Sequence, residues 1–434
     1  MASLECVCLR QGQGGCMNND GHTLEQMIDN YAELAVTKGV NIQPNQQLVV
    51  NAPVECADFA RTVVRKAYEA GSGYVTVIWN DDQIQRLTYE YNETSFFEQV
   101  PAWKREQLNS LAEEGAAFLH LFGEDPSVLA GIDPEKPATA ARVRNKAFDK
   151  YRHGLDFGIN TWSIVGVPTK AWATTVFPDL DAGEAVRRLW YAILETARSN
   201  GENPAAVWDA HNATFEHHKT LLNDCQFDHL HYTSSNGTDL TVGLNKGHVW
   251  EGGSATVANG TVYFPNMPTE EVFTTPDRLR VDGIVYSVIP LVHAGSIIRD
   301  FWIRFENGCA VEFGAEEGEE VLRQIIETDE NSCRLGECAL VAKDTPIRES
   351  GLLFYNTLYD ENASCHLALG QGFPGCREGG LEMEKAELIE HGVNFSHTHV
   401  DFMIGANDMN IVGVKSDGEE IPIFEDGVWA PYFC

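Results

Sequence analysis

The chain changes texture near Asp224, and that change restricts its fold more than any other feature. Upstream, helix and strand patterns alternate. Leu24, Met27, Ile28, Tyr31, Leu34 and Ala35 recur at helical spacing behind Thr23, a good N-cap residue. Residues 47–52, 73–79, 117–122 and 161–165 read as strands, and 57–70, 138–151 and 183–199 as helices. Such alternation builds a parallel or mixed sheet covered by helices. None of its strand-to-helix turns carries a glycine-rich phosphate loop, so no nucleotide site is read here. Downstream, Asn236-Gly237, Asn259-Gly260 and Asn307-Gly308 sit between short apolar runs, a hairpin signal. Residues 283–290, 303–305 and 310–313 support an antiparallel or barrel-like β domain with one helix over 317–327. The expected class is α/β plus α+β. It comprises a disordered tail over 1–21, a helix-covered N-terminal domain over 22–222 and a β-rich C-terminal domain over 223–434.

Composition narrows the partners. With 434 residues there is ample material for packed cores. The net charge of −33 disfavours nucleic acid and anionic membranes. No run is long and apolar enough to span a bilayer, and residues 1–17 lack the pattern of a secretory signal. A cytoplasmic protein with its eleven cysteines reduced is therefore expected. Cys6, Cys8 and Cys16 lack a fourth ligand nearby for a structural metal, and Met17 is a candidate translation start.

Four stretches of the C-terminal half carry acidic or imidazole groups in apolar frames. In Asn394–Gly405, His397, His399 and Asp401 alternate with Thr398, Val400 and Phe402, which puts all three on one face of a strand. Glu337 lies within the apolar run 335–341, where a carboxylate is costly unless a cation pairs with it. His366 opens the apolar run 366–370, with Asp360 or Glu361 available to orient its second ring nitrogen. Glu270 and Glu271 occupy an extended loop between Pro268 and Pro276, where adjacent side chains point opposite ways and only one can face a given centre. Together these offer too many donors for one tetrahedral zinc and suit two adjacent divalent ions bridged by a carboxylate. Two further groups, His211 with His217 and His218, and His229 with His231, have ligand-like spacing but no comparably placed carboxylate.

The order and spacing of Pro268–Phe273, Leu335–Glu337, Asp360–Gly370 and His399–Gly405 resemble the thermophilic-type metallo-aminopeptidase family, and the resemblance runs from about Leu24 onward. It implies a homodimeric exopeptidase that uses two divalent ions (Zn, Co, Mn or Mg) to release N-terminal residues from peptides. The implied ligands are Glu271, Glu337, His366, His399 and Asp401, with Glu337 or Glu271 bridging the metals or taking a proton. The family's metal-centre tyrosine falls here on Phe373, which has no hydroxyl; Tyr355 and Tyr359 are the nearby substitutes in sequence, and His397 is an outer neighbour at most. A non-catalytic metal- or peptide-binding relative and a two-metal hydrolase of another amide or ester are the competing readings. A serine esterase is disfavoured because no Gly-x-Ser-x-Gly elbow is present.

Overall fold

A computed structural model describes residues 21–293 and 296–434. The expectations for a disordered tail, for Cys6, Cys8 and Cys16, and for Met17 as the start fall almost wholly outside them. Thr23 caps the first helix, Leu24–Leu34, through a reciprocal box with Gln26. The four upstream strands are β1 (Gln47–Pro53), β2 (Tyr74–Asn80), β3 (Ala117–Phe122) and β4 (Trp162–Gly166). They pair in parallel in the order β4-β3-β1-β2. Apolar residues of β1, β3 and β4 are buried beneath helices such as Ala57–Glu69 and Ala182–Thr196, whereas β2, at the sheet edge, is only partly covered and leaves Tyr74 and Trp79 exposed.

The two halves interlock. A two-residue strand, Asn266–Met267, pairs in parallel with β4 and extends the upstream sheet. Phe264, Met267, Phe354, Leu358 and Tyr359 all pack into the upstream core. The downstream half holds a nine-stranded sheet and a separate five-stranded antiparallel sheet. The latter comprises β5 (Glu251–Gly252), β6 (Val272–Thr274), β7 (Leu335–Leu340), β8 (His366–Gly370) and β9 (His399–Met403), in the order β9-β8-β7-β6-β5. The architecture is thus mixed α/β with one parallel sheet and antiparallel sheets, as expected.

One expectation fails. Cys309 and Cys333 form a disulfide, where reduced thiols were anticipated. The Ala310 N–H donates to the Cys333 carbonyl at 2.8 Å, which brings the two cysteine Cα atoms to 5.2 Å, a normal bridging separation. Among the described residues no helix is long and apolar enough to cross a membrane.

Three histidines set an acid limit on this fold. His120 lies between Asn51 and Tyr151, His211 bonds the Thr269 carbonyl, and His218 stacks on Trp429. Burial pushes each from 6.5 down to about 4. Between those values the unfolded chain binds protons that the folded chain refuses, so stability rises with pH across that window. The contribution is complete above 6.5 and is lost as pH falls toward 4. The urea midpoint is expected to drop steadily from about pH 7 to about pH 5; a flat midpoint would show that these imidazoles are already charged in the fold.

Candidate metal centre

Strand register gathers the candidate ligands. Glu337 on β7 faces Ala368 on β8, which faces Asp401 on β9; Ala339 faces His366, and Gly370 faces His399. Cross-strand partners share a face, so Glu337, His366, His399 and Asp401 stand together. Glu271 precedes β6 by one residue and belongs to the same face as Phe273, which pairs with Ala339. Ala339 and Ala368, between the ligands, leave room above the sheet. The opposite face, with Val272, Cys338, Leu340, Leu367, Leu369, Val400 and Phe402, packs into the downstream core and fixes the register. Gly370 has φ of +107°, and a Cβ there would meet the Thr398 carbonyl oxygen at 2.1 Å. That close approach brings the turn before His399 against β8.

The five residues form two triads that share Glu337: Glu271, Glu337 and His366, and Glu337, His399 and Asp401. His366 Nε2 lies 3.0 Å from Glu271 Oε2 and 4.0 Å from Glu337 Oε1. His399 Nε2 lies 3.1 Å from Glu337 Oε2 and 3.2 Å from Asp401 Oδ1. Each imidazole donates its other nitrogen to a backbone carbonyl: His366 Nδ1 to Ser364 at 3.1 Å, and His399 Nδ1 to Gln371 at 2.7 Å. A carbonyl can only accept, so both Nε2 atoms are left to point at carboxylates. Lone pair would then face lone pair unless a proton or a metal intervenes. Asp401 Oδ1 is buried and makes no well-aligned hydrogen bond, its contact with His399 Nε2 at 3.2 Å being an ion pair, so a cation would satisfy it.

Charge tells the same story. Burial, reinforced by Glu271 and Asp401 against the pull of His399, raises the Glu337 carboxyl to about 7. Burial alone would lower both histidines, yet the surrounding carboxylates hold His366 and His399 well above the usual imidazole range. Without metal the cluster is held together by protons. Mixed imidazole and carboxylate donors, buried and mutually repulsive, are what divalent ions bind.

The remaining acidic and imidazole groups sort differently. Glu270 turns away from the cluster into a bidentate pair with Arg198, and its N–H donates to Asn362 Oδ1 at 2.6 Å. Neither Asp360 nor Glu361 orients His366. The Ser364 carbonyl has that role, and Asp360 instead accepts the N–H groups of Phe354 and Asn356. Glu361, half-buried, feels Asp401, Glu271 and Glu337, and burial with those charges keeps its carboxyl well above the usual range. No local spacing marks it as a member of the site. His397 lies before β9 begins, and its N–H donates to Asp329. His211, His217, His218, His229 and His231 join neither triad.

Phe373 lies against His399, with ring centroids 5.1 Å apart, so the position without a hydroxyl is at the cluster. Tyr359 is sealed in the upstream core against Trp172 and Phe354. Among the described residues no hydrogen bond or ring contact ties Tyr355 to the five.

The thermophilic metalloprotease family (M29) matches residues 24–429. The chain belongs to that family. This metalloprotease is 44% identical to aminopeptidase AmpS of Bacillus subtilis (strain 168), over 94% of its own length and 99% of that protein. It is 41% identical to aminopeptidase T of Thermus aquaticus, over 93% and 98%. The solved structure of wild-type AmpT from Thermus thermophilus superposes on the metalloprotease with a TM-score of 0.88 at 39% identity, covering 94% of this chain and all of that one. Family membership makes a divalent metal part of the protein's chemistry, and the two triads are its candidate ligands.

Proposed function

We propose that this metalloprotease is a two-metal aminopeptidase that releases N-terminal residues from peptides. The observation that carries the reading is the sharing of Glu337 between two ligand triads on one sheet face. Glu271 and His366 would hold one ion and His399 and Asp401 the other, with Glu337 between them. Two divalent ions carry four positive charges, which Glu271, Glu337, Asp401 and Glu361 would match once metal binding had ionised the carboxyls that burial raises. Bound metal would ionise water near neutral pH and polarise the scissile carbonyl. The chain's own part is positional. Backbone carbonyls orient both imidazoles, the apolar underside fixes the sheet, and Glu361, which feels the charges of Asp401, Glu271 and Glu337, would receive a proton during attack once bound metal had ionised its carboxyl. The imidazole and carboxylate donors suit Zn, Co, Mn or Mg. Assembly as a homodimer, which the resemblance to the family implies, and residence in the cytoplasm belong to the same proposal.

Hydrolysis of small peptides, followed by release of free amino acids, tests this. Metal-stripped protein is expected to be inactive and to regain activity on addition of a divalent ion, with proton release as His366 and His399 lose the protons that replaced the metal. Full turnover after complete metal removal would rule the mechanism out. Metal uptake with no turnover on any peptide would favour a binding protein instead.

A further inference from the structure

The ligand-bearing face also carries an aromatic pair that metal binding does not explain. Phe273 is two residues beyond Glu271 and pairs with Ala339, so its ring stands on the same side of the sheet as the five ligands. Phe373, in the turn after β8, meets Phe273 nearly edge-on, with centroids 5.4 Å apart and planes at 62°. It also lies across His399 at 5.1 Å with planes at 55°. The turn is fixed at two points. The Phe373 N–H donates to Thr275 Oγ1 at 2.8 Å, and the Gln371 carbonyl two residues earlier accepts a hydrogen bond from His399 Nδ1–H. Phe373 nevertheless remains 37% exposed, and Phe273 is half-buried. A phenyl ring held open to solvent beside a charged cluster forgoes burial of about 25 cal/mol for each Å² left wet. The rigid turn and the edge-to-face pairing prevent it from folding inward.

We propose that Phe273 and Phe373 form a platform for an apolar side chain next to the scissile bond, so that the favoured substrates are peptides with an aromatic or branched aliphatic residue there. The inference rests on the hydrolytic reading above and adds its selectivity. One feature favours an apolar occupant. The rings offer π faces and edges but no hydrogen-bonding group, so a polar side chain seated on them would lose water without replacement.

The test is a panel of dipeptides that varies each position in turn: Leu-Gly, Phe-Gly, Lys-Gly and Asp-Gly, then Gly-Leu, Gly-Phe, Gly-Lys and Gly-Asp. The metal-loaded protein is compared with Phe373→Ala, Phe373→Leu and Phe273→Ala, with metal content measured for each. The wild type is expected to prefer apolar over charged side chains at one position by about tenfold or more in kcat/KM. Both alanine variants should bring that ratio toward one at full metal occupancy, and Phe373→Leu should keep most of it. An unchanged ratio in both metal-loaded alanine variants, or no apolar preference in the wild type, overturns the platform. Failure of metal-loaded wild type to cleave any dipeptide overturns the hydrolytic reading itself, and the platform with it.

Discussion

Glu337→Ala is expected to abolish peptide hydrolysis, with a fall in kcat/KM of at least about 10³-fold, because it removes the one carboxylate common to both triads. Truncating any other ligand strips one triad; truncating Glu337 weakens both. Metal content measured by mass spectrometry should fall for both ions together. The same substitution has an opposite consequence for the metal-free chain. Burial and the charges of Glu271 and Asp401 hold Glu337 up at about 7, so its carboxylate is a cost to the empty fold. In chelator, Glu337→Ala should therefore unfold at or above the wild-type temperature. Added divalent ion should raise the wild-type Tm but leave that of the variant nearly unchanged, because only the former gains binding energy in the folded state. Wild-type activity with a full metal complement in the variant would remove Glu337 from the centre of the mechanism.

Most of the candidate ligand cluster was legible in sequence because its signals are local. Alternation marks His399 and Asp401, and an acid inside an apolar run marks Glu337. The strands of the parallel sheet were readable for a similar reason, as β-rich runs bounded by turns. What sequence could not show depends on partners far along the chain. Asn266–Met267 is too short to carry a period, and only its pairing with β4, about a hundred residues upstream, makes it a strand. Asp360 and Glu361 stand side by side, yet one caps backbone N–H groups and the other feels the charges of the candidate cluster. A turn decides which, and residue type does not. The Cys309–Cys333 bridge likewise follows from backbone pairing and not from cysteine spacing. The choice between Glu270 and Glu271 was open in sequence for the same reason. Glu270 is excluded from the cluster by Arg198, 72 residues away.

That distant partner leads to the second large effect. Arg198→Met is expected to cost about 3–5 kcal/mol of stability, because it leaves a buried carboxylate without its cation. Glu270 is only 5% exposed, and Arg198 sits at the end of an upstream helix in a left-handed conformation (φ 51°), held there by the fold around it. Burial already raises the Glu270 carboxyl against the pull of Arg198, so the loss of Arg198 pushes it to take a proton or turn toward water. Either movement twists the segment that presents Glu271, because adjacent side chains in extended backbone are tied to opposite directions. Metal affinity should then fall by about 10–100-fold, the range seen when a ligand loses its supporting contact. The double variant Arg198→Met with Glu270→Met separates the two effects. It removes both charges, so stability should return toward that of the wild type. The hydrogen bond from the Glu270 N–H to Asn362 belongs to the backbone and survives the change, so metal affinity should recover with it. If Arg198→Met lowers Tm but binds metal as tightly as the wild type at saturating protein stability, the pair only joins the two halves of the fold and does not aim Glu271.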